Sequence, residues 1–162
     1  MDWLAKGKAV WKFADNFNAD LIVGSKYMTE RNPELLAKAF LSDYEPDYYT
    51  KVAKGDIIVA GDNFGFGHPH DQGIIAMEAL GISVLVADSF YPAYYRLGIY
   101  RGFPLLACPG ISDKVKVGDV LEVNIETGLV KNSTGGVTLQ GEPMSPVLRE
   151  IIAAGGLSLI HI

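Results

Sequence analysis

Two short runs constrain this chain more than any other feature: Ile-Ile-Val-Ala at 57–60 and Val-Leu-Val-Ala at 84–87. Neither alternates apolar with polar residues as a half-buried strand does. Continuous runs of this kind are strands buried on both faces, and such strands belong to parallel sheets joined by helical crossovers. The intervening stretch supplies a crossover. Residues 70–80 carry Ile74, Ile75, Ala79 and Leu80 at helical spacing, and Gly81 closes the run. Leu105-Leu106, beyond the next helical stretch, extends the pattern. A sheet covered on both sides needs a large core. A chain of 162 residues, 49% of them hydrophobic, can build one, and that composition excludes intrinsic disorder. One α/β domain spanning residues 1–162 is expected.

Strands are predicted at 9–13, 21–23, 56–60, 83–87, 104–107, 120–125 and 137–139. Asn32-Pro33-Glu34 predicts a helix start, with Asn as cap and Pro at the first helical position. Residues 92–100 and 146–154 predict two more helices, the last closed by Gly155-Gly156. After Pro109 the character changes. VGDVLEVNIETGLVKN reads as antiparallel strands turning at Glu126-Thr127-Gly128. The fold class is therefore α/β, a central mostly parallel sheet with flanking antiparallel strands. No repeat and no Pro/Ser-rich linker divides it.

The balance of 14 Lys and Arg against 19 Asp and Glu argues against nucleic acid as the main partner, because neutralising phosphates needs a basic face. The single cysteine, Cys108, excludes an internal disulfide framework and a cysteine-rich zinc site. It also excludes an iron–sulfur cluster held within the chain, which takes three or four thiolates. Cys108 follows an apolar strand and reads as a small core hydrophobe. No apolar run approaches the ~20 residues of a membrane span, and MDWLAKGKAVWKF is not a signal peptide, so a cytoplasmic protein is expected.

The segment with chemical character is GDNFGFGHPHDQG, residues 61–73. It leaves a buried strand and opens a helix. Gly61, Gly65 and Gly67 permit tight turns and close backbone approach to a ligand. Unpaired N–H groups at a helix start favour an anion. The segment lacks the third glycine of a dinucleotide fingerprint and the Gly-Lys-Ser/Thr of a phosphate loop, and an ordinary structural turn is an equal reading. His68 and His70 lie in it with Asp71 alongside. Imidazoles suit general acid–base work near neutral pH, although solvated surface histidines fit as well. The His-x-His spacing also suits a metal, but one nearby carboxylate makes a poor ligand set. Upstream, Asp15, Asn16, Asn18 and Asp20 form a polar turn ahead of an apolar run. Arg96 and Arg101, five apart in YYRLGIYRG, are each able to clamp a carboxylate, with surface solvation as the plainer fate.

Taken together, these segments resemble the small subunit of 3-isopropylmalate dehydratase, the detached swivelling domain of the aconitase superfamily. The resemblance runs from about Gly7 to Leu157 and rests on KGKAVWKFADNFNADLIVGSKYM, VAKGDIIVAGDNFGFG, GISVLVADSF with the following YYR and GFPLLACPGI, and EVNIETGLVKN with IIAAGGL. It implies a swivelling β/β/α domain of the aconitase C-terminal type. It also implies a reversible hydro-lyase of 2-hydroxy acids, in which a separate large subunit holds a [4Fe–4S] cluster and this chain binds none. The open iron of that cluster acts as a Lewis acid on the hydroxyl. The small subunit supplies a Ser as base and an Arg for a substrate carboxylate.

The sequence departs from the family where that chemistry sits. Gly-x-Gly-Ser-Ser-Arg-Glu-His becomes Gly65-Phe66-Gly67-His68-Pro69-His70-Asp71-Gln72. His68 stands where the base Ser would be, His70 where the Arg would be, and Asp71 where the Glu would be. Asp20 matches the Asp that supports the base, and would hold His68. The expected catalytic set is His68, His70, Asp20 and Asp71, with no metal ligands. The expected substrate-binding set is Gly65, Phe66, Gly67, Met28, Thr29 and Arg96. Met28, Thr29 and Glu30 open the stretch that matches the family's specificity loop; Glu30, if it faced the site, would disfavour a third carboxylate, and Phe66 adds an aromatic wall, so an apolar or aromatic side group on a malate-like acid is expected. Two other readings stand beside this one: a binding or regulatory subunit that kept the fold and lost the Ser and Arg, and a free-standing metal-dependent lyase using His68 and His70. Self-association of the isolated chain is expected through its subunit face.

Overall fold

A computed structural model of the chain describes residues 2–68 and 70–157. Seven strands form one sheet in the order β4-β3-β2-β1-β5-β6-β7. They are β1 (Leu4–Phe13), β2 (Ile57–Ala60), β3 (Val84–Ala87), β4 (Leu105–Ala107), β5 (Val120–Asn124), β6 (Leu129–Asn132) and β7 (Val137–Gln140). The helices are α1 (Pro33–Ala39), α2 (Gln72–Leu80), α3 (Pro92–Arg101), α4 (Ile111–Lys114) and α5 (Pro146–Ala153). None is long and apolar enough to cross a membrane.

The long first strand joins two kinds of sheet. Leu4 to Lys8 pair antiparallel with β5, while Ala9 to Phe13 pair parallel with β2 across an irregularity between Ala9 and Trp11. β2, β3 and β4 continue in parallel register. β5, β6 and β7 are antiparallel, and Gly128 turns the β5–β6 hairpin with φ of 78°. A parallel half and an antiparallel half thus share one strand, as the change of character after Pro109 predicts.

Both apolar runs are buried on both faces. Ile58, Ala60, Leu85 and Ala87 face one core with Leu36 of α1 and Ile74 of α2. Ile57, Val59, Val84 and Val86 face the other, with Leu121, Val123, Val130, Ile111 and Ile152. α2 begins at Gln72 and not at 70, because the His70 N–H turns back to the His68 carbonyl at 3.0 Å. Asn32 accepts from the Glu34 N–H and Pro33 starts α1; Gly81 and Gly102 close α2 and α3 in the left-handed region.

One predicted strand is absent. Residues 21–23 lie at the end of a 3-10 turn, Ala19–Ile22. The Asn18 side chain accepts from the Asp20 N–H, and Gly24 N–H reaches the Asp20 carbonyl, so the backbone bonds locally and forms no ladder. Ile22 and Val23 are buried all the same: apolar character here serves packing against the helices. The short helix α4 was not anticipated either, four residues being too few to show a period.

Leu85 touches no solvent at the centre of the parallel half. Leu85→Ala is expected to lower unfolding free energy by about 2–5 kcal/mol in a urea titration, at an unchanged denaturant slope.

Candidate active site

The site lies beyond the carboxyl ends of the parallel strands, where open α/β sheets bind ligands. Three loops leave those ends and bond to each other through their backbones. Asn16 N–H donates to the Asp62 carbonyl at 2.7 Å, Gly65 N–H to Phe17 at 3.0 Å, and Phe64 N–H to Ser89 at 3.1 Å. Isolated bridges pair Asn18 with Phe66 and Phe64 with Phe90. Beneath them, Phe13, Phe17, Phe64 and Tyr94 pack as an aromatic floor, with neighbouring ring centroids 4.4 to 6.0 Å apart, Phe17 stacked on Phe64 and Tyr94 edge-on to it.

The turn needs its glycines for two different reasons. Gly65 has φ of 90° and lies flat on Tyr94, so that a Cβ would sit 2.2 Å from that ring's Cγ. Gly67 has φ of 105° and passes the Asn18 amide more loosely, at 3.1 Å. The Tyr94 hydroxyl is buried without a partner, and burial holds it well above its ordinary pKa.

Two imidazoles follow. His70 Nδ1 lies 3.0 Å from Asp20 Oδ1 and 3.2 Å from Oδ2. The sequence reading assigns Asp20 to His68, and the structure corrects it. The 19–22 turn packs on α2, with Ile22 against Gly73, so Asp20 stands level with the helix entry, where His70 is. His68 is exposed, its ring centroid 6.2 Å from that of His70. It borders an open hollow of about 350 Å³ with Phe66, Gly67, Tyr91 and Ala93, walled by the edge-on pair Phe66–Tyr91.

Asp71 does not face substrate space alone. Arg31 meets it with both arms, Nη1 to Oδ1 at 2.7 Å and Nη2 to Oδ2 at 3.4 Å, and Arg101 lies 3.7 Å from Oδ2. Sequence reasoning missed Arg31. Nothing local links it to a partner 40 positions away; the one available signal is its place just before the capped start of α1. Met28 is half-buried and Thr29 exposed on the loop that leads to Arg31. Glu30 does not turn inward: its Oε1 accepts from the N–H groups of Arg31 and Asn32. Arg96 is not brought to the turn. It is exposed on α3, beside two hollows that contain no residue of 61–72.

The donor chemistry decides what this chain can hold. Among the described residues, one group of three potential metal ligands converges, Asp15, Asp62 and Asp88, and neither histidine belongs to it. Asp15 accepts from the Asp62 N–H, and Asp88 accepts from Ser112. An iron–sulfur cluster does not fit these residues. Cys108 is the sole cysteine and fully buried; burial, with Asp88 adding to it, pushes the thiol up to about 11.

Comparison with known proteins bears on the whole chain. The family model of the aconitase C-terminal domain matches residues 13–103. An isopropylmalate/citramalate isomerase small subunit of Methanocaldococcus jannaschii is 44% identical over 154 residues, covering 95% of this chain and 91% of the relative. A 3-isopropylmalate dehydratase small subunit of Halothermothrix orenii is 38% identical, covering 94% of this chain and 92% of the relative. The crystal structure of 3-isopropylmalate dehydratase (LeuD) from Methanocaldococcus jannaschii superposes with a TM-score of 0.86 at 33% identity, covering 96% of this chain and 91% of that one.

Gly65→Ala strains φ and drives a methyl into Tyr94, and is expected to lower stability by about 2 kcal/mol or more by thermal unfolding, with Gly67→Ala the milder change. Cys108 is expected to resist iodoacetamide at pH 8 in the folded chain and to react promptly in urea, as read by mass spectrometry.

Proposed function

The chain belongs to the aconitase C-terminal domain family, among its 3-isopropylmalate dehydratase small subunits, and from that membership we propose that His70 and Asp20 form its proton-transfer pair. The protein is the small subunit of a heteromeric hydro-lyase and works with a large subunit. Its substrate in this reading is a malate-type 2-hydroxy acid bearing an apolar side group. The [4Fe–4S] cluster of such an assembly belongs to the large subunit, since this chain has no thiolate set to offer, and the assembly is cytoplasmic.

The contact between His70 Nδ1 and Asp20 carries the reading of the site. With Nδ1–H donating to the carboxylate, the lone pair on Nε2 points away from Asp20 and accepts a proton from the carbon beside a substrate carboxylate. Asp20 fixes the tautomer and ring angle, and steadies the imidazolium once the proton has moved. Asn18 holds Asp20 in turn, because its Oδ1 accepts the Asp20 N–H at 2.9 Å. His68, exposed across the turn, hydrogen-bonds the substrate's polar end. Gly65 and Gly67 let the backbone come close, and Met28 and Thr29 lie on the loop that leads to Arg31. The hollow between Phe66 and Tyr91 offers an apolar substituent two aromatic walls.

Steady-state kinetics of the two-subunit enzyme test this assignment, with 3-isopropylmalate as probe. His70→Ala is expected to lower kcat by about 10²–10⁴-fold, Asp20→Asn by less, and His68→Ala mainly to raise KM. Wild-type turnover in both His70→Ala and His68→Ala would overturn the assignment and favour a regulatory subunit.

A further inference from the structure

Among the described residues, two guanidinium groups form ion pairs with the active-site turn, and both do so at Asp71. They are not equivalent. Arg101 is committed: its Nη2 lies 3.0 Å from Glu78 Oε1, and its side chain is 31% exposed. Arg31 is 61% exposed and, among the described residues, has Asp71 as its one ion-pair partner. An ion pair whose guanidinium partner is mostly in solvent holds its partners by about 0–1 kcal/mol, so a better-placed carboxylate can displace Asp71. Asp71 would not be stranded by the exchange, because Arg101 stays beside it.

The loop under Arg31 is built to stay in place while the side chain moves. Glu30 Oε1 accepts from the N–H groups of Arg31 and Asn32 at 3.2 and 3.0 Å. The Glu30 carbonyl accepts from Gln72 Nε2 at 3.3 Å, which ties the loop to the first turn of α2. Asn32 caps α1. None of these bonds uses the guanidinium. The fork that now meets Asp71 with two nitrogens offers a carboxylate the same two-point contact, which a lysine cannot offer. It does so at the residue next to His70.

We infer that Arg31 is the carboxylate-binding residue of this site: it rests on Asp71 and passes to a carboxylate of the bound hydroxy acid. The inference rests on the hydro-lyase reading for the identity of the ligand. It makes Asp71 a competitor of the substrate, with Arg101 keeping that competitor in place. It also gives the loop a role in specificity, since the reach of Arg31 sets the distance between a carboxylate and the His70 imidazole.

Calorimetric binding of 3-isopropylmalate to the two-subunit complex, with turnover of the same probe, tests the inference. Arg31→Gln is expected to weaken binding by about ten- to a hundredfold, the loss of a charge-assisted contact, and Arg31→Lys by less. Asp71→Asn is expected to act in the opposite direction, tightening binding by about two- to fivefold as the competing ion pair disappears. A structural clasp predicts equal losses in Arg31→Gln and Asp71→Asn, and that result overturns the inference. Unchanged affinity in Arg31→Gln, with normal turnover, also overturns it and leaves the hydro-lyase reading intact. Binding in the expected pattern without turnover overturns the hydro-lyase reading and supports Arg31 as a carboxylate receptor. A complex that neither binds nor turns over the probe overturns both.

Discussion

The backbone bonds among the loops beyond the parallel strands are the constraint on which the site depends. A loop carrying two imidazoles would ordinarily be free to move. Here the 61–68 segment is fastened on both sides, to the 14–18 loop through Gly65 and Phe66 and to the 88–91 loop through Phe64. The strands below supply the rigidity. β2 and β3 are buried on both faces, the polar groups of β1, β2 and β3 pair along the sheet, and together they hold three loop origins at fixed spacing. Gly65 completes the arrangement, because only a residue without a side chain lets the turn lie on Tyr94.

Much of this fold was legible in the sequence. Runs such as Ile57–Ala60 and Val84–Ala87 advertise two-sided burial, and helix starts and stops are marked by Asn32, Pro33, Gly81 and Gly102. These signals are strong because they come from local sterics and from a burial pattern that a few residues state in full. The failure at 21–23 has the opposite cause. Ile22 and Val23 are as apolar as strand residues, but the Asn18 side chain bonds the next turn of backbone and withdraws it from any ladder. Apolar character reports burial, and it does not report which backbone carries the residue to the core.

The site was legible in its components and illegible in its pairings. The glycine spacing and the histidines at 68 and 70 marked the turn. Whether Asp20 meets the first or the second histidine depends on how the 19–22 turn seats against α2, a tertiary fact no spacing contains. Arg31 is the extreme case. Its partner is 40 residues away and its own neighbours announce only a helix start. Arg96, more conspicuous beside two tyrosines, points elsewhere because α3 turns that position outward.

These placements divide the charges of the site in a definite way. Asp20 is spent on His70, and Asp71 on two arginines, so neither carboxylate stands bare before an anionic substrate. An imidazole backed by one acid and a guanidinium resting on another present a proton acceptor and a cation from two independent segments. The acceptor is fixed by Asp20 and Asn18, while the cation is held weakly and exposed. For the hydroxy-acid dianion of the proposed reaction, a site that admits the substrate and then orients it gains from that asymmetry. Under the proposed roles, the rigid partner would set where the proton leaves, and the exchangeable partner would give up a contact of its own to the substrate, which would limit how tightly the ground state is bound. In that reading the chain contributes position and proton chemistry, and its lone buried cysteine gives it no thiolate set with which to hold a cluster of its own.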